Sequence, residues 1–412
     1  MADAEVFDLV VAGGGLVGAS LCAALAATPI RIAVVEPVPR RSADQPSFDE
    51  RMTALAPTTR RIFEALGLWE DIRADAAPIE RIHVSDRGRF GFVRMSAAEE
   101  GVDALGHVVP NRRLGAVLPA AAAGQANVTE LCPARVTGID ADEEGLRVIV
   151  AGESGERVLR TRLLVGADGA RSAVRELLDL PVRRQAYGQT AVIANLIAER
   201  DHAGTAFERF GPEGPMALLP AVGGRRALIW TAPEDRVDEI MALDDAAFLA
   251  EVQGRFGFRL GRLLKAGARH AYPLERMHAP RYTARRSVLI GNAAHTLHPV
   301  AGQGFNLAMR DVAVLAELIH QAAGSGGDIG SDDLLRLYPL RRDEDYRRIM
   351  GFTHGLVTLF SNRLPLLGPA RNAGLLGLDL LPAVKRRLIR SAMGRAGWLP
   401  RLARGLPLEA PS

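Results

Sequence analysis

Cysteine is scarce in this 412-residue chain: Cys22 and Cys132 are the only two, and they lie far apart. That argues against a disulfide framework, a C-x-x-C zinc site and a dithiol redox centre together, and no metal is expected. A reducing, cytoplasmic setting fits such usage. Lysine is equally rare, with Lys265 and Lys385 alone. Genome base composition explains that bias as well as function would, and it carries no argument. Aromatic residues make up 5%, and with no nucleic-acid-binding motif, nucleic acid is not an expected partner. There is no internal repeat, and no low-complexity tract apart from the Gly/Ser loop GSGGDIGS at 324–331.

What is present is ordinary for a globular protein: 48% hydrophobic and 24% charged residues, over a length that suits two domains. Residues 9–27 (LVVAGGGLVGASLCAALAA) form a nineteen-residue apolar run that imitates a membrane span. Asp3, Glu5 and Asp8 before it do not suit a secretory signal, and its glycine spacing reads better as a buried strand followed by a helix. Charge is unevenly placed. Residues 355–412 carry nine basic side chains against Asp379 and Glu409, a net of +7 in a chain whose total is +3. A basic tail on an acidic body suggests an anionic partner surface at that end.

Along the chain, VFDLVVA (6–12) reads as a strand, 16–27 as a small-residue helix and RIAVV (31–35) as a second parallel strand. That βαβ unit makes the fold α/β, a Rossmann-like start. Residues 44–49 read as a loop, 53–66 and 111–123 as helices, 128–131 as a strand and 134–150 as a hairpin turning at DEEG. From about 185 to 232, short β-rich runs (TAVIANLIA, TAFERF, MALLPA, RALIWTA) separated by Gly and Pro clusters predict a mostly antiparallel sheet. A helix at 245–255 and a strand at SVLIG (287–291) follow, and from Gln303 the chain is mostly helical. The expected division is a nucleotide domain in two parts (1–184 and 276–355), an inserted β-sheet substrate domain (185–275) and a basic helical C-terminal region (356–412).

Three segments carry chemistry. The first is G-x-G-x-x-G at Gly13, Gly15 and Gly18, between the first strand and its helix. Gly13 permits the tight turn, Gly15 lets the backbone approach a pyrophosphate, and Gly18 lets helix pack on strand, with the helix N-terminus toward the phosphates. Glu36, at the end of the second strand and 23 residues after Gly13, is placed to bind a ribose 2′-hydroxyl. FAD or NAD fits this unit, which does not choose between them. The second segment is VGADGARSAVR (165–175), with Asp168, Gly169, Arg171, Ser172 and Arg175. The third is LIGNAAHTLHPVAGQGFNLAMRD (289–311).

In this order the three segments resemble the signatures of the aromatic-hydroxylase flavoprotein monooxygenases, and the resemblance spans essentially the whole chain. Within that family the chain is similar to the UbiH-type ubiquinone-biosynthesis hydroxylases, in the group with the UbiF and UbiI types. LHPVAGQGFNLAMRDV and LFSNR (359–363) carry that similarity. The resemblance implies bound FAD. It also implies NAD(P)H, expected as NADPH, as a transient reductant and O₂ as co-substrate, with one oxygen atom passing to an electron-rich phenol ring. It places Asp168 and Gly169 at the pyrophosphates, Asn292 at the ribityl chain, and Pro299, Gly302, Gln303, Gly304 and Asn306 beneath the pyrimidine edge of the flavin. Arg51 and Asn111 are placed close to the ring. Asn292 departs from the family's usual aspartate; an amide still accepts a hydrogen bond but carries no charge.

No side chain stands out as nucleophile or base. His295 and His298 are the candidates, and residues packing the flavin-binding turn is the favoured reading of both. The expected substrate is a polyprenylphenol lipid of ubiquinone biosynthesis. Peripheral contact with the inner face of the membrane, or with a biosynthetic complex, is open through the tail at 363–404. The other reading of that tail is a helical cap on the FAD domain with solvated arginines. Rival readings of the whole are the same chemistry on a soluble phenol, a non-catalytic lipid-binding flavoprotein, and a halogenase. Lys265 and Lys385 lack the context the halogenase branch would need.

Overall fold

The computed structural model describes residues 5–39, 51–142, 145–298, 302–361, 367–395 and 397–408. The expected βαβ unit forms from Glu5–Ala12, helix Leu16–Ala24 and Ile32–Val35. These strands sit inside a sheet ordered Ser287–Leu289, Gly155–Gly166, Glu5–Ala12, Ile32–Val35, Val128–Leu131, all pairs parallel. Burial on both faces explains their near-continuous apolar sequence: Leu9, Val10, Val11, Ile32 and Leu164 are all buried. The hairpin Ala134–Ala141/Leu146–Gly152 extends Gly155–Gly166 antiparallel, and its expected tip at 143–144 lies outside the described residues, as does the 44–49 loop. The nineteen-residue apolar run is thus a strand, a turn and a short helix. Among the described residues no helix is long and apolar enough to cross a membrane.

A second sheet runs His295–Thr296, His270–His278, Arg183–Ala198, Arg225–Pro233, Gly214–Ala221, Thr205–Gly211, Arg81–Asp86, Phe92–Ser96, with Leu263–Ala266 also paired to Arg183–Ala198. Its pairs are antiparallel except Thr205–Gly211 with Arg81–Asp86. Strand period two gives it two different faces. Val192, Leu196, Leu218, Leu228 and Trp230 pack against Phe248, Val252 and Phe256, all three from helix Asp245–Phe256. The opposite face looks into the main cavity.

Three expectations need correction. Residues 53–66 are not one helix: Met52–Leu55 pairs with Gly106–Pro110, and the helix spans Pro57–Ala65. Proline at the first helical position and the extended Ala56 before it (ψ 157°) account for the break. Segment 1–184 also supplies two strands to the second sheet, Arg81–Asp86 and Phe92–Ser96, a long-range pairing that local pattern does not show. The tail caps both parts of the molecule: Leu402 and Ala403 join the core of the nucleotide domain, where the Arg401 amide donates to Glu317 at 2.6 Å, whereas the helices before them pack on the second sheet. Asn372 of helix Leu367–Leu380 accepts from the Gly91 amide, Asp379 accepts from the Arg94 amide at 3.0 Å, and Lys385 donates to the Arg94 carbonyl at 3.2 Å. Ile389 and Met393 pack with Ile79, Leu105 and Val108.

Candidate active site

The glycine motif divides into two glycines required by the fold and one that is not. Gly13 has φ +100°, and a Cβ there would lie 2.5 Å from the Ala167 carbonyl oxygen. A Cβ on Gly18 would lie 1.9 Å from the Gly13 carbonyl oxygen, so only glycine lets the helix pack against the turn. A Cβ on Gly15 meets nothing within 4 Å, and Gly15 lines the main cavity. The protein leaves that side of the turn open, the shape that a closely approaching pyrophosphate requires. Glu36 completes the unit. Its Oε2 accepts from the Gly14 amide at 2.7 Å and its Oε1 from the Val38 amide at 3.0 Å, which fixes a buried carboxylate on the cavity wall.

Asp168 and Gly169 reach the same cavity from the end of Gly155–Gly166. Asp168 Oδ2 accepts from the Val174 amide at 3.1 Å, whereas Oδ1 is buried with no hydrogen-bond partner among the described residues. Burial pushes this carboxyl above its usual range, against the opposing pull of the Ser172 hydroxyl and the Val174 amide. An orphaned buried acceptor on a cavity wall fits a ligand that brings donors. Behind it, buried Arg175 donates to the carbonyls of Ala293 and Ala170, both at 3.0 Å, tying the Asp-Gly turn to the turn that holds Asn292.

The side chain of Asn292 is exposed on the cavity wall. Gly302, at φ +60°, precedes helix Gln303–Gly324, whose positive end faces the cavity. A Cβ on Gly304 meets nothing within 4 Å, and Gln303 is buried on the cavity wall. Pro299 lies outside the described residues. Asn306 departs from expectation. Its Oδ1 accepts from the Ala56 amide (2.8 Å) and the Thr59 hydroxyl (2.7 Å), and its Nδ2 donates to the carbonyls of Ala54 (2.8 Å) and Gly302 (2.7 Å). That uses the whole capacity of an amide, so Asn306 clamps the helix start to the Ala54–Thr59 turn and its side chain has nothing left for a ligand. Arg51 stacks on the Tyr272 ring at 4.9 Å, and Asn111 accepts from the Thr53 hydroxyl at 2.6 Å. All four line the cavity.

These groups therefore share one cavity of about 840 Å³, near the upper end of the range for small-molecule sites. From the glycine turn it passes Tyr272 and Thr231, crosses the second sheet, and ends among Leu375, Leu378, Leu388 and Ile389 of the C-terminal helices. Sequence reading missed this far wall. The signal was available in TAFERF and TAVIANLIA, where period two puts Ala206, Glu208 and Phe210, and Ala191, Ile193 and Asn195, on the face that lines the cavity.

The two histidines are packing residues. His295 and His298 are buried, and neither is among the residues lining the cavity. His295 Nε2 meets Asp311 Oδ2 at 2.8 Å. His298 lies edge-on to Tyr187 with centroids 5.2 Å apart, and burial pushes its pKa down to about 4, leaving a neutral ring. Cys22 is core, its thiol pushed up to about 12 by burial.

Comparison with known proteins agrees with this geometry. The family model described as "FAD binding domain" matches residues 6–352. Ubiquinone hydroxylase UbiL of Rhodospirillum rubrum is 38% identical over 98% of this chain and 94% of its own length. The 3-demethoxyubiquinol 3-hydroxylase of Escherichia coli is 31% identical over 94% of this chain and 98% of its own. Among solved structures, p-nitrophenol 4-monooxygenase PnpA of Pseudomonas putida superposes with a TM-score of 0.79 at 21% identity, over 95% of this chain and all of that one, a likeness of fold. The open glycine turn, the orphaned Asp168 oxygen and the helix start at Gly302 lie along one cavity in a chain of this descent: it belongs to the FAD-binding flavoprotein monooxygenases, in the group of the ubiquinone hydroxylases.

Proposed function

We propose that this enzyme hydroxylates the aromatic ring of a polyprenylphenol precursor of ubiquinone, with NADPH as reductant. The observation that carries the reading is the cavity's continuity. One end is built from the dinucleotide motifs, and the other is walled by Ile82, Val93, Met95, Phe210, Leu219 and the leucines of the C-terminal helices. A soluble phenol has no use for so long an apolar extension, whereas a prenyl chain gains by leaving water for it.

Bound FAD supplies the oxygen activation; the chain's residues hold the partners and keep water out. Gly15, Asp168 and Asn292 are the proposed holders of the cofactor's pyrophosphate and ribityl regions, and Glu36 of its adenosine ribose. The Gly302–Gly304 amides offer a positive helix end to the ring edge that becomes negative on reduction. The apolar floor of the second sheet orients the substrate and excludes solvent from the reacting carbon.

Each buried methylene contributes about 0.8 kcal/mol. Adding one isoprene unit to a short-chain 2-prenylphenol should therefore raise kcat/KM by at least about tenfold until the cavity is filled. NADPH-dependent O₂ uptake, with mass spectrometry showing the gain of one oxygen, measures it. Indifference to chain length would favour the soluble-phenol reading. Absence of O₂ uptake with every prenylphenol would favour a non-catalytic lipid-binding flavoprotein.

The tail offers a way to the lipid. Leu380, Leu381 and Val384 are 77%, 55% and 53% exposed, on the outer side of helices whose inner residues line the cavity. Beside them Arg386, Arg387, Arg390 and Arg395 line a separate recess. This apolar tip ringed by arginine suits an anionic bilayer. At about 1 kcal/mol per surface arginine, reversing Arg386, Arg387 and Arg390 to glutamate should weaken binding to anionic liposomes about a hundredfold or more. FAD content should not change. Equal sedimentation of both proteins with liposomes would leave the tail as a cap alone.

A further inference from the structure

We infer that the recess between Arg386, Arg387, Arg390 and Arg395 is a binding site for the phosphate headgroup of a membrane phospholipid. This rests on the reading of the tail as a bilayer-docking surface and goes beyond it: a charged surface answers to any anionic membrane, whereas a site selects its anion. Helix Pro382–Ala392 has two unlike sides. Leu388, Ile389 and Ala392 line the main cavity, and Lys385 meets Glu99 at 3.3 Å and Asp379 at 3.9 Å. On the other side Ala383, Arg386, Arg387 and Arg390 follow at i, i+3, i+4 and i+7, which makes one helical stripe. Arg395 joins them from beyond the helix end, and these five residues line the recess. None of them is acidic.

Arg395 supplies the second observation. Its backbone amide donates to the Arg390 carbonyl at 2.9 Å, which holds it at the helix end. Its side-chain Nε is buried with no hydrogen-bond partner among the described residues. Burial, and after it the Arg61 and Arg390 guanidiniums, push its pKa down, and the opposing pull of the Glu100 carboxylate is weaker than either push. A donor taken out of water and left unmet is costly, and so are like charges gathered with no acid among them. An anion seated between the four side chains relieves both. Phosphate suits this arrangement, because a tetrahedral group can be met by several guanidinium forks from different directions, whereas a planar carboxylate offers two oxygens. Its source is a lipid, since Leu380, Leu381 and Val384 stand exposed around the start of the same helix. An acyl chain gains by lying there, and a soluble phosphate does not.

The test uses the FAD-loaded enzyme and two kinds of vesicle matched in zeta potential, one charged by phosphatidic acid and the other by the carboxylate of cholesteryl hemisuccinate. Wild type should sediment with the phosphate vesicles about tenfold more tightly than with the carboxylate ones. Arg395→Lys keeps the charge and loses the fork, so it should bind the two vesicles alike. Arg390→Lys, on the exposed stripe, should do the same and serves if the first variant does not fold. Equal binding of both vesicles by wild type, or an undiminished phosphate preference in the lysine variants, would overturn the site while leaving the tail's charge-driven docking standing. Displacement from phosphate vesicles by NADPH, but not by sodium chloride at the same ionic strength, would give the recess to the reductant's phosphates and overturn the lipid assignment. Failure of wild type to sediment with either vesicle would overturn both the site and the docking surface.

Discussion

Gly15→Val is expected to give a folded, colourless and inactive protein. The residue has φ −67° and ψ −168°, a conformation that valine adopts freely, and its Cβ would meet nothing within 4 Å. The fold therefore has no reason to object, whereas a pyrophosphate lying against this backbone does: the isopropyl group would occupy the space it needs. Gly18→Val makes the informative contrast. Its Cβ would sit 1.9 Å from the Gly13 carbonyl oxygen, and that variant should fail to fold. The measurement is the ratio of FAD absorbance to protein, beside thermal unfolding by circular dichroism. Unfolding must be compared with both proteins stripped of cofactor, because FAD bound to the native state alone would raise the wild type's Tm by linkage. Full FAD retention in Gly15→Val would sink the placement of the pyrophosphate.

That contrast also shows what was legible in the sequence. Gly13 and Gly18 are fixed by contacts within about five residues or across one parallel strand pair, and the spacing G-x-G-x-x-G with Glu36 encodes them locally. The strands and helices of the βαβ unit, the helix at Asn111–Ala123 and the runs of the second sheet were readable for the same reason, since each announces itself by periodicity and by its bounding turns. What could not be read depends on partners far away. Residues 81–86 join the second sheet only because Thr205–Gly211 lies beside them. Asn306 looks like a ligand in a signature motif, yet the Ala54–Thr59 turn, some 250 residues earlier, takes three of its four amide hydrogen bonds and the Gly302 carbonyl the fourth. The substrate wall is the plainest case. Its residues come from strands and helices spread between Ile79 and Met393, and each is unremarked aliphatic sequence until the topology gathers them.

The remaining large effect lies behind the cavity, in a group that no motif singled out by function. Asp311, fully buried, accepts at Oδ2 from the Gly291 amide (3.0 Å) and meets His295 Nε2 (2.8 Å). At Oδ1 it accepts from Arg342 Nε (2.8 Å) and the Tyr346 hydroxyl (2.9 Å). Arg342 in turn reaches Asp345 at 2.6 Å. One carboxylate thus joins the long helix Gln303–Gly324, the turn that carries Asn292 and helix Asp332–Ser361. Asp311→Ala would leave the buried Arg342 guanidinium with Asp345 as its carboxylate partner among the described residues and take the acceptor from the Gly291 amide and the Tyr346 hydroxyl. It should cost about 3–5 kcal/mol, a large share of the roughly 5–15 kcal/mol that holds a domain together. Asp311→Asn, which keeps the shape and some acceptors, should cost less. The pH dependence has a definite sign. Burial alone would raise the Asp311 carboxyl, but the Arg342 guanidinium and His295 hold it below the ordinary carboxylate range. A carboxyl whose folded pKa is depressed contributes stability that is present above its unfolded value of about 4 and is lost as the pH falls through the folded one. Wild type should therefore lose stability in that acid window, while Asp311→Asn, already lacking the charge, should show a flatter profile there. Denaturant melts between neutral pH and about pH 3, read by tryptophan fluorescence, measure both; parallel acid profiles for the two proteins would show that this carboxylate is not what ties the three elements together.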